Sequence, residues 1–202
     1  MTGKERFQKQ TNVSRETLEM LETYAGLLKA WNRRINLVSP KTLDELWTRH
    51  FLDSAQLLSF AQVVERCVDL GSGGGFPGAV VAIMGGPETQ VTLIESDQRK
   101  AAFLRAVARE TVGFKVIASR IEEAPPQNAD VVSARALAPL SQLLPYVARH
   151  LAPGGRAILP KGRKAQDEIR EALEHWRFDC ETYPSKTDPD AVILTLGEIK
   201  RV

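Results

Sequence analysis

Apolar residues near the N-terminus recur at the spacing of a helix. Between Leu18 and Ile35 they return at steps of three and four, which predicts an amphipathic helix with Ser14 as its N-cap. Thr42-x-x-Glu45 is a capping-box pattern that predicts the start of a second helix, whereas the polar residues 1–12 predict a loose start to the chain. We therefore predict an N-terminal helical cap over residues 1–62.

From Arg66 onward, short apolar runs alternate with amphipathic segments, which is typical of a parallel sheet covered by helices. The predicted strands are residues 67–70, 90–95, 114–118, 129–134, 154–160, 177–184 and 191–196, and the predicted helices are residues 79–84, 97–110, 140–151 and 165–176. We expect the last two strands to form a short antiparallel hairpin. The pattern predicts an α/β, Rossmann-like fold with a mostly parallel seven-stranded sheet, whose core is residues 63–202.

A cluster of glycines directly follows the first predicted strand, with five glycines among the eight residues from Gly71 to Gly78. Strand, glycine turn and helix form a device in which backbone N–H groups face a ligand. The register Gly73-x-Gly75-x-x-Gly78 matches a dinucleotide fingerprint, with Glu95 at the distance of a ribose-binding acid. The register Asp69-x-Gly71-x-Gly73-x-Gly75 instead resembles the start of S-adenosyl-L-methionine (SAM) enzymes. Asp69 favours SAM, because SAM carries an ammonium and a sulfonium, whereas a pyrophosphate would be repelled by this acid.

Ligands of open α/β sheets bind outside the carboxyl ends of the strands, and this rule selects the candidate cofactor residues. We expect Asp69 and the turn glycines to hold the amino-acid end of SAM, and Glu95 to accept hydrogen bonds from both ribose hydroxyls. Ile121 and Glu122 follow the third strand, where they would flank an adenine. The predicted cofactor residues on these grounds are Asp69, Gly71, Gly73, Gly75, Glu95, Ile121 and Glu122.

Two cationic side chains stand at the ends of the fourth and fifth predicted strands. Arg135 would lie next to the reacting centre, although a surface salt bridge is an equally good interpretation of this residue alone. Lys161 begins the basic run Lys161-Gly-Arg-Lys164 on the rim of the predicted cleft. Further basic residues come from the N-terminal helices, at Arg33, Arg34, Lys41 and Arg49. Basic groups around one cleft suit contacts with the phosphates of an RNA.

Composition indicates the class of protein and its location. The chain has 202 residues, 43% hydrophobic and 26% charged residues and a net charge of +2, as expected of one globular unit with a substantial core. It has no apolar run of membrane-spanning length, so we expect no membrane partner. Cys67 and Cys180 lack metal-type spacing, which predicts neither a metal site nor a disulfide and favours a cytoplasmic location.

The segment after the fourth strand limits which atoms could accept a methyl group. It reads Ser133-Ala-Arg-Ala-Leu-Ala-Pro139. It has no Asn/Asp-Pro-Pro-aromatic box for exocyclic amino groups, and no Pro-Cys pair for attack on a pyrimidine. A ring nitrogen with a free lone pair, such as guanine N7, needs neither. Its methylation depends on proximity, orientation and electrostatics, without a general base.

The chain resembles the RsmG family of bacterial 16S rRNA guanine-N7 methyltransferases, also called glucose-inhibited division protein B. The motifs that carry the resemblance, in order, are Trp31-Asn32-x-x-x-Asn36-Leu37, His50-x-x-Asp53-Ser54, Val68 to Gly78 with its Phe76-Pro77-Gly78, Ser119-Arg-Ile-Glu-Glu123, Ser133-Ala-Arg135-Ala, Pro160-Lys-Gly162 and Thr187-Asp-Pro189. One departure is Ser-Ala-Arg-Ala at 133–136, where many members have Ser-Arg-Ala. The resemblance covers nearly the whole chain from about residue 14.

The resemblance implies a class I SAM-dependent methyltransferase acting on small-subunit rRNA or a ribosomal particle. Carried over by position, it implies SAM contacts at Gly71, Gly73, Phe76, Ile121, Glu122 and Arg135. We expect Arg135 and Lys161 to orient the target and stabilise charge near it, and we expect a monomer. The alternatives are a SAM enzyme with another RNA or small-molecule substrate, an NAD-binding oxidoreductase, and a non-catalytic RNA-binding protein.

One polar trio has two interpretations. His50, Asp53 and Ser54 fall at i, i+3 and i+4 of the predicted second helix and so share one face. They are either packed and capping groups or one side of a ligand pocket. The sequence alone favours the first interpretation.

Overall fold

The computed structural model describes residues 1–60 and 66–202. The region before the sheet contains, in chain order, α1 (Gly3–Thr11), α2 (Arg15–Asn32), a 3₁₀ turn (Pro40–Thr42), a π-helical turn (Trp47–Leu52), α3 (Asp53–Ala55) and a second 3₁₀ turn (Gln56–Ser59). The remaining elements are β1 (Arg66–Leu70), α4 (Gly78–Met84), β2 (Gln90–Ile94), α5 (Gln98–Glu110), β3 (Lys115–Ile117), β4 (Ala129–Ala134), α6 (Leu140–His150), β5 (Leu151–Lys161), α7 (Ala165–Ala172), β6 (Trp176–Pro184) and β7 (Val192–Arg201).

The sheet confirms the predicted fold class. Within the described residues the sheet has seven strands in the order β3-β2-β1-β4-β5-β7-β6, and β7 alone runs against the direction of the other six. The order reverses between β1 and β4, which is the topological switch point where open α/β sheets bind ligands. The hairpin is antiparallel, as predicted, but its strands of 9 and 10 residues are longer than the short ones expected. In the same region α7 ends at Ala172, because Trp176 is buried as the first residue of β6.

Two predictions about the N-terminal region are wrong. The polar start is a helix, α1, closed by a capping box between Thr2 and Glu5. Its fully buried Phe7 packs edge-on against Trp47, with ring centroids 5.4 Å apart. One anchoring residue leaves no periodic pattern in the sequence, although the burial of one aromatic side chain stabilises a helix by a few kcal/mol, about 2–3.

The predicted capping box at Thr42 and Glu45 does not form. Thr42 is the last residue of a 3₁₀ turn, and its hydroxyl donates to the carbonyl of Ser39 at 2.8 Å. A π-helical turn replaces the regular helix from Trp47 to Leu52. Such irregular turns occur disproportionately at functional sites.

Apolar clusters cover both faces of the sheet. One cluster combines α1, α2 and the turns around Phe51 with α4 and α5, and the other lies under α6 and α7. The first cluster therefore joins the predicted cap to the predicted core in a single hydrophobic interior. The boundary at residues 62/63 lies outside the described residues, so the division into 1–62 and 63–202 stays a prediction.

Among the helices within residues 1–60 and 66–202, none is long and apolar enough to cross a membrane. Cys67 is buried, Cys180 is exposed, and both are free thiols.

Candidate active site

A cavity of about 880 Å³ opens at the carboxyl ends of β1, β2 and β4. The glycine turn forms its floor, and residues that directly follow β2 and β4 form two of its walls. Of the ten predicted site residues, the structure brings seven together here: Gly71, Gly73, Phe76, Glu95, Ile121, Glu122 and Arg135.

The glycine turn is shaped for close approach to a ligand. Gly71 and Gly73 have positive φ angles of 63° and 54°, a conformation that favours glycine. A Cβ at Gly71 would lie 2.6 Å from a methyl group of Leu137. A Cβ at Gly73 would meet nothing nearer than a carbonyl oxygen at 3.9 Å, so it would project into the cavity. The turn therefore forms a cradle that only glycine leaves open.

Glu95 fixes the wall that the end of β2 contributes. The residue is 7% exposed, and its two carboxylate oxygens accept hydrogen bonds from the backbone N–H of Gly73 and of Asp97, both at 2.8 Å. Each oxygen keeps a second lone pair. Glu95 is thus held rigidly with acceptor capacity at the cavity, and its contact with a ribose stays a prediction.

Ile121 and Glu122 line the cavity from a turn after β3, and two residues of α6 hold this turn. The Nε2 atom of His150 lies 3.0 Å from the carbonyl oxygen of Ile121. The guanidinium of Arg149 donates to the carbonyl of Ala124 at 3.0 Å. Burial lowers the pKa of His150, so the ring is neutral and Nε2 carries the donated proton. Sequence reasoning missed both residues, because they sit at the end of a helix far from the site in the chain.

Asp69 and Gly75, both predicted to contact the cofactor, do not line the cavity. Asp69 is 1% exposed and lies behind the turn, where its carboxylate accepts hydrogen bonds from Ser133 Oγ at 2.8 Å and from the N–H of Gly78 at 3.3 Å. A Cβ at Gly75 would lie 2.5 Å from the hydroxyl of Tyr24, so that glycine serves packing. Both residues thus shape the turn from behind, and a contact of either with the cofactor stays a prediction.

Lys161 belongs to a second cavity, of about 630 Å³. Its ammonium donates to Glu168 at 2.7 Å and to the carbonyl of Ala138 at 2.9 Å, and its side chain is 9% exposed. The two cavities meet at a shared wall formed by Arg49, Arg135, Ala136, Leu137 and Asp188. Lys161 is therefore next to the larger cavity and not on it. Arg33, Arg34 and Lys41, which the sequence placed at the rim, are exposed but line neither cavity.

Arg135 is the most constrained cation of the shared wall. Its guanidinium donates from Nη1 to Asp53 at 3.0 Å and to the carbonyl of Arg49 at 3.3 Å, and from Nη2 to His50 Nδ1 at 2.9 Å. The carbon of the guanidinium lies 5.1 Å from the centroid of the Phe76 ring, within cation–π distance. The pocket interpretation of His50 and Asp53, which the sequence ranked second, is the one the geometry supports. Ser54, the third member of the trio, is buried, and its hydroxyl has no hydrogen-bond partner among the described residues.

His50 is a neutral acceptor in this arrangement. Burial, followed by the charge of Arg135, lowers its pKa to about 4. A neutral ring that accepts at Nδ1 must carry its proton at Nε2, which lies 2.9 Å from the Thr42 hydroxyl. That hydroxyl donates in turn to Ser39. In this series of hydrogen bonds, which runs from Arg135 to the 3₁₀ turn, every donor therefore meets an acceptor.

Comparison with known proteins assigns this arrangement to a family. Residues 17–190 match the family model GidB, described as rRNA small subunit methyltransferase G. A "Ribosomal RNA small subunit methyltransferase G" of Rhodospirillum centenum is 55% identical over 195 residues, which are 96% of this chain and 89% of that protein. A protein of the same name from a Ruegeria species is 51% identical over 195 residues, 95% of each chain. The chain belongs to the GidB family.

Solved structures with the same architecture include SAM-dependent methyltransferases. Fibrillarin of Aeropyrum pernix, described in complex with bound S-adenosyl-L-methionine, aligns with a TM-score of 0.58 at 16% identity over 74% of this chain and 75% of that chain. A TehB-like SAM-dependent methyltransferase of Corynebacterium glutamicum aligns with a TM-score of 0.57 at 13% identity over 87% of this chain and 96% of that chain. These likenesses establish the fold alone.

The residues matched by the GidB model include the larger cavity. The matched range contains the whole lining of this cavity, from Leu37 to Asp188. Helix α1 and strand β7 lie outside the matched range. In this member of the GidB family, the matched segment alone thus supplies both the glycine turn and the Arg135 wall.

Proposed function

We propose that the protein is a SAM-dependent methyltransferase that methylates N7 of a guanine in small-subunit (16S) rRNA. The observation that carries the proposal is the GidB match over residues 17–190, because the cavity built around the glycine turn lies wholly within it. The family supplies the reaction, and the cavity supplies residues suited to it.

The residues at the cavity fit SAM. The open cradle at Gly73 admits the amino-acid end of the cofactor, and Glu95 presents acceptors for ribose hydroxyls beside it. Ile121 offers an apolar surface and Glu122 a carboxylate for the adenine. When bound, SAM supplies a methyl group activated by its sulfonium. Asp69 contributes through the turn, since it bonds the first residue of α4 and not the cavity.

The side chains on the Arg135 wall suit a nucleophile that needs no base. Guanine N7 already has a free lone pair, so the reaction requires alignment and charge stabilisation. His50 Nδ1 is occupied by Arg135 and is not free to remove a proton. Arg135 is proposed to bind an oxygen of the target nucleotide, with Lys161 in the adjoining cavity as a second contact.

The setting of the reaction follows from the same proposal. The partner is small-subunit rRNA or a ribosomal particle, the location is the cytoplasm, and the enzyme acts as a monomer. Arg49 and Lys161 lie at the joined cavities, where they would contact RNA phosphates.

A methylation assay with mass spectrometry tests the proposal. Purified protein is incubated with labelled SAM and with protein-free small-subunit rRNA or small subunits from a strain lacking the modification. The expected product in a nucleoside digest is 7-methylguanosine. Methylation at a different base or only of small molecules would contradict the proposal, and binding of NAD instead of SAM would favour the oxidoreductase alternative.

A further inference from the structure

Three residues of the family motifs have no role in the reaction as described so far. They are His50, Asp53 and Thr187, which come from the π-helical turn, from α3 and from the loop between β6 and β7. All three belong to one polar network that ends on Arg135. The sequence separations within it reach 134 residues, between Asp53 and Thr187.

Asp53 is the centre of this network, because both of its carboxylate oxygens are engaged. Oδ2 accepts from Arg135 Nη1 at 3.0 Å. Oδ1 accepts from the Thr187 hydroxyl at 2.7 Å and from the Gln56 amide at 2.9 Å. Gln56 in turn accepts from the backbone N–H of Lys186 at 3.0 Å, which fastens the same loop a second time. The carboxylate therefore has one orientation.

The pair between Arg135 and Asp53 is well shielded from water. Its side chains are 18% and 17% exposed, whereas those of Arg66 and Asp130, a pair at the other end of β4, are 48% and 38% exposed. Removing one member of a shielded pair is far more disruptive than removing one member of an exposed pair. His50 adds a fixed acceptor on Nη2, so the guanidinium is held at both terminal nitrogens.

The network leaves donors for a ligand. A guanidinium has five N–H groups, and Asp53, Arg49 and His50 use three of them. Among the described residues, the N–H on Nε and one on Nη2 make no hydrogen bond. Both belong to a side chain on the wall shared by the two cavities.

We propose that Asp53, His50 and Thr187 are positioning residues that fix the Arg135 guanidinium so that its two remaining donors meet an oxygen of the RNA target. This inference rests on the proposed function, since it assigns Arg135 to the methylation target. Asp53, His50 and Thr187 then act on the reaction through the Arg135 side chain.

The first test removes the charge of Asp53. Asp53→Asn is compared with Asp130→Asn, which makes the same change in the exposed pair at the opposite end of β4. We expect Asp53→Asn to lower kcat by about 10- to 100-fold and to leave the Kd for SAM within about 3-fold of wild type. Asp130→Asn is expected to leave both unchanged. An Asp53→Asn enzyme with wild-type kcat would overturn the proposal.

The second test asks whether a different side chain with an acceptor at the same position can replace His50. His50→Asn keeps an acceptor near the position of Nδ1, whereas His50→Phe keeps the ring packed on Phe76 and loses the acceptor. We expect activity within about 5-fold of wild type for His50→Asn and a loss of about 10-fold or more for His50→Phe. Equal activities of these two variants would contradict a positioning role for His50.

A double-mutant cycle separates positioning from general stability. Thr187→Val removes the hydroxyl that orients Asp53, so its effect on kcat should largely disappear when Asp53 is already Asn. Fully additive effects on kcat, or losses that follow the melting temperature alone, would overturn the inference. Absence of methylation by the wild-type enzyme, with SAM binding intact, would instead refute the proposed function.

Discussion

Asp69→Asn tests whether this acid contacts the cofactor or supports the turn. Asparagine has the shape of aspartate, and its amide can accept from the N–H of Gly78 and donate to the Ser133 hydroxyl, because that hydroxyl can rotate to accept. The substitution therefore keeps both hydrogen bonds and removes only the charge. A residue that supports the turn tolerates this change, whereas a ligand of the SAM ammonium does not.

The pKa of Asp69 gives the magnitude of the effect on stability. Burial raises this pKa from 3.8 to about 6, although hydrogen bonds to the carboxylate oppose the shift. The folded state therefore disfavours the ionised form, and Asp69 contributes most stability below its unfolded pKa. That contribution is lost as the pH rises through the window from 3.8 to about 6, and the loss amounts to about 3 kcal/mol.

Urea unfolding of both proteins at about pH 5 and about pH 7.5 measures this effect. His50 titrates in the opposite sense, but it is present in both proteins and cancels in the difference between them. We expect the variant to gain about 1–2 kcal/mol on wild type at the higher pH, because the removed charge outweighs one weakened hydrogen bond. The gain should shrink at the lower pH. The Kd for SAM should stay within about 3-fold.

The result that would refute this reasoning is specific. A Kd for SAM weakened by about 30-fold or more, with no gain in stability at about pH 7.5, would place the carboxylate on the cofactor. It would also restore the role that the sequence predicted for Asp69.

Three further predictions concern the cavity walls. Arg135→Ala should lower kcat by about 100-fold or more, a larger loss than the accompanying fall in melting temperature accounts for, and equal losses in activity and folded fraction would make the residue structural. Gly73→Ala should lower the free energy of unfolding by about 1–2 kcal/mol, because Gly73 has a positive φ angle. The added methyl group in the cradle should also weaken the affinity for SAM by about 10-fold or more, as measured by titration calorimetry. Unchanged affinity would place the cofactor elsewhere. His150→Leu should weaken the affinity for SAM by about 10-fold because the Ile121 carbonyl loses its donor, whereas the affinity of His150→Gln should stay within about 3-fold of wild type. The same affinity in both variants would show that His150 does not support the turn at Ile121.

The position of a residue relative to the end of its strand explains which predicted site residues reach the larger cavity. Glu95 and Arg135 are the first residues after β2 and β4, and both reach the cavity. Asp69 is still inside β1, whose side chains point to the two faces of the sheet, so its carboxylate lies under the start of α4. Lys161 is the last residue of β5 and reaches only the second cavity. Sequence placed all four near strand ends but could not resolve the strand boundaries to one residue.

The fold was largely predictable because the parallel core has strong local signals. β4 and α4 have nearly the predicted bounds, since continuous apolar runs separated by glycine or proline mark buried strands and helices. The region before the sheet has such a signal in α2 but lacks it on either side of that helix, because Phe7 and Phe51 are single anchors within polar or irregular segments. Tertiary contacts decide the structure there, and such contacts cannot be predicted from a short stretch of sequence.

The N-terminal region supports the lining of the larger cavity and does not only cover it. The Tyr24 hydroxyl donates to the carbonyl of Gly74, and the side chain of Asn32 bonds the backbone of Leu37 and Val38, which line the cavity beside the glycine turn. Tyr24 also stacks on Phe76, with ring centroids 5.4 Å apart. Phe76 in turn contacts the Arg135 guanidinium through a cation–π interaction. Helix α2 therefore positions the turn, and α3 positions the guanidinium. Residues before the sheet thus support both the glycine turn and the Arg135 guanidinium, the two features on which the proposed cofactor and target contacts depend.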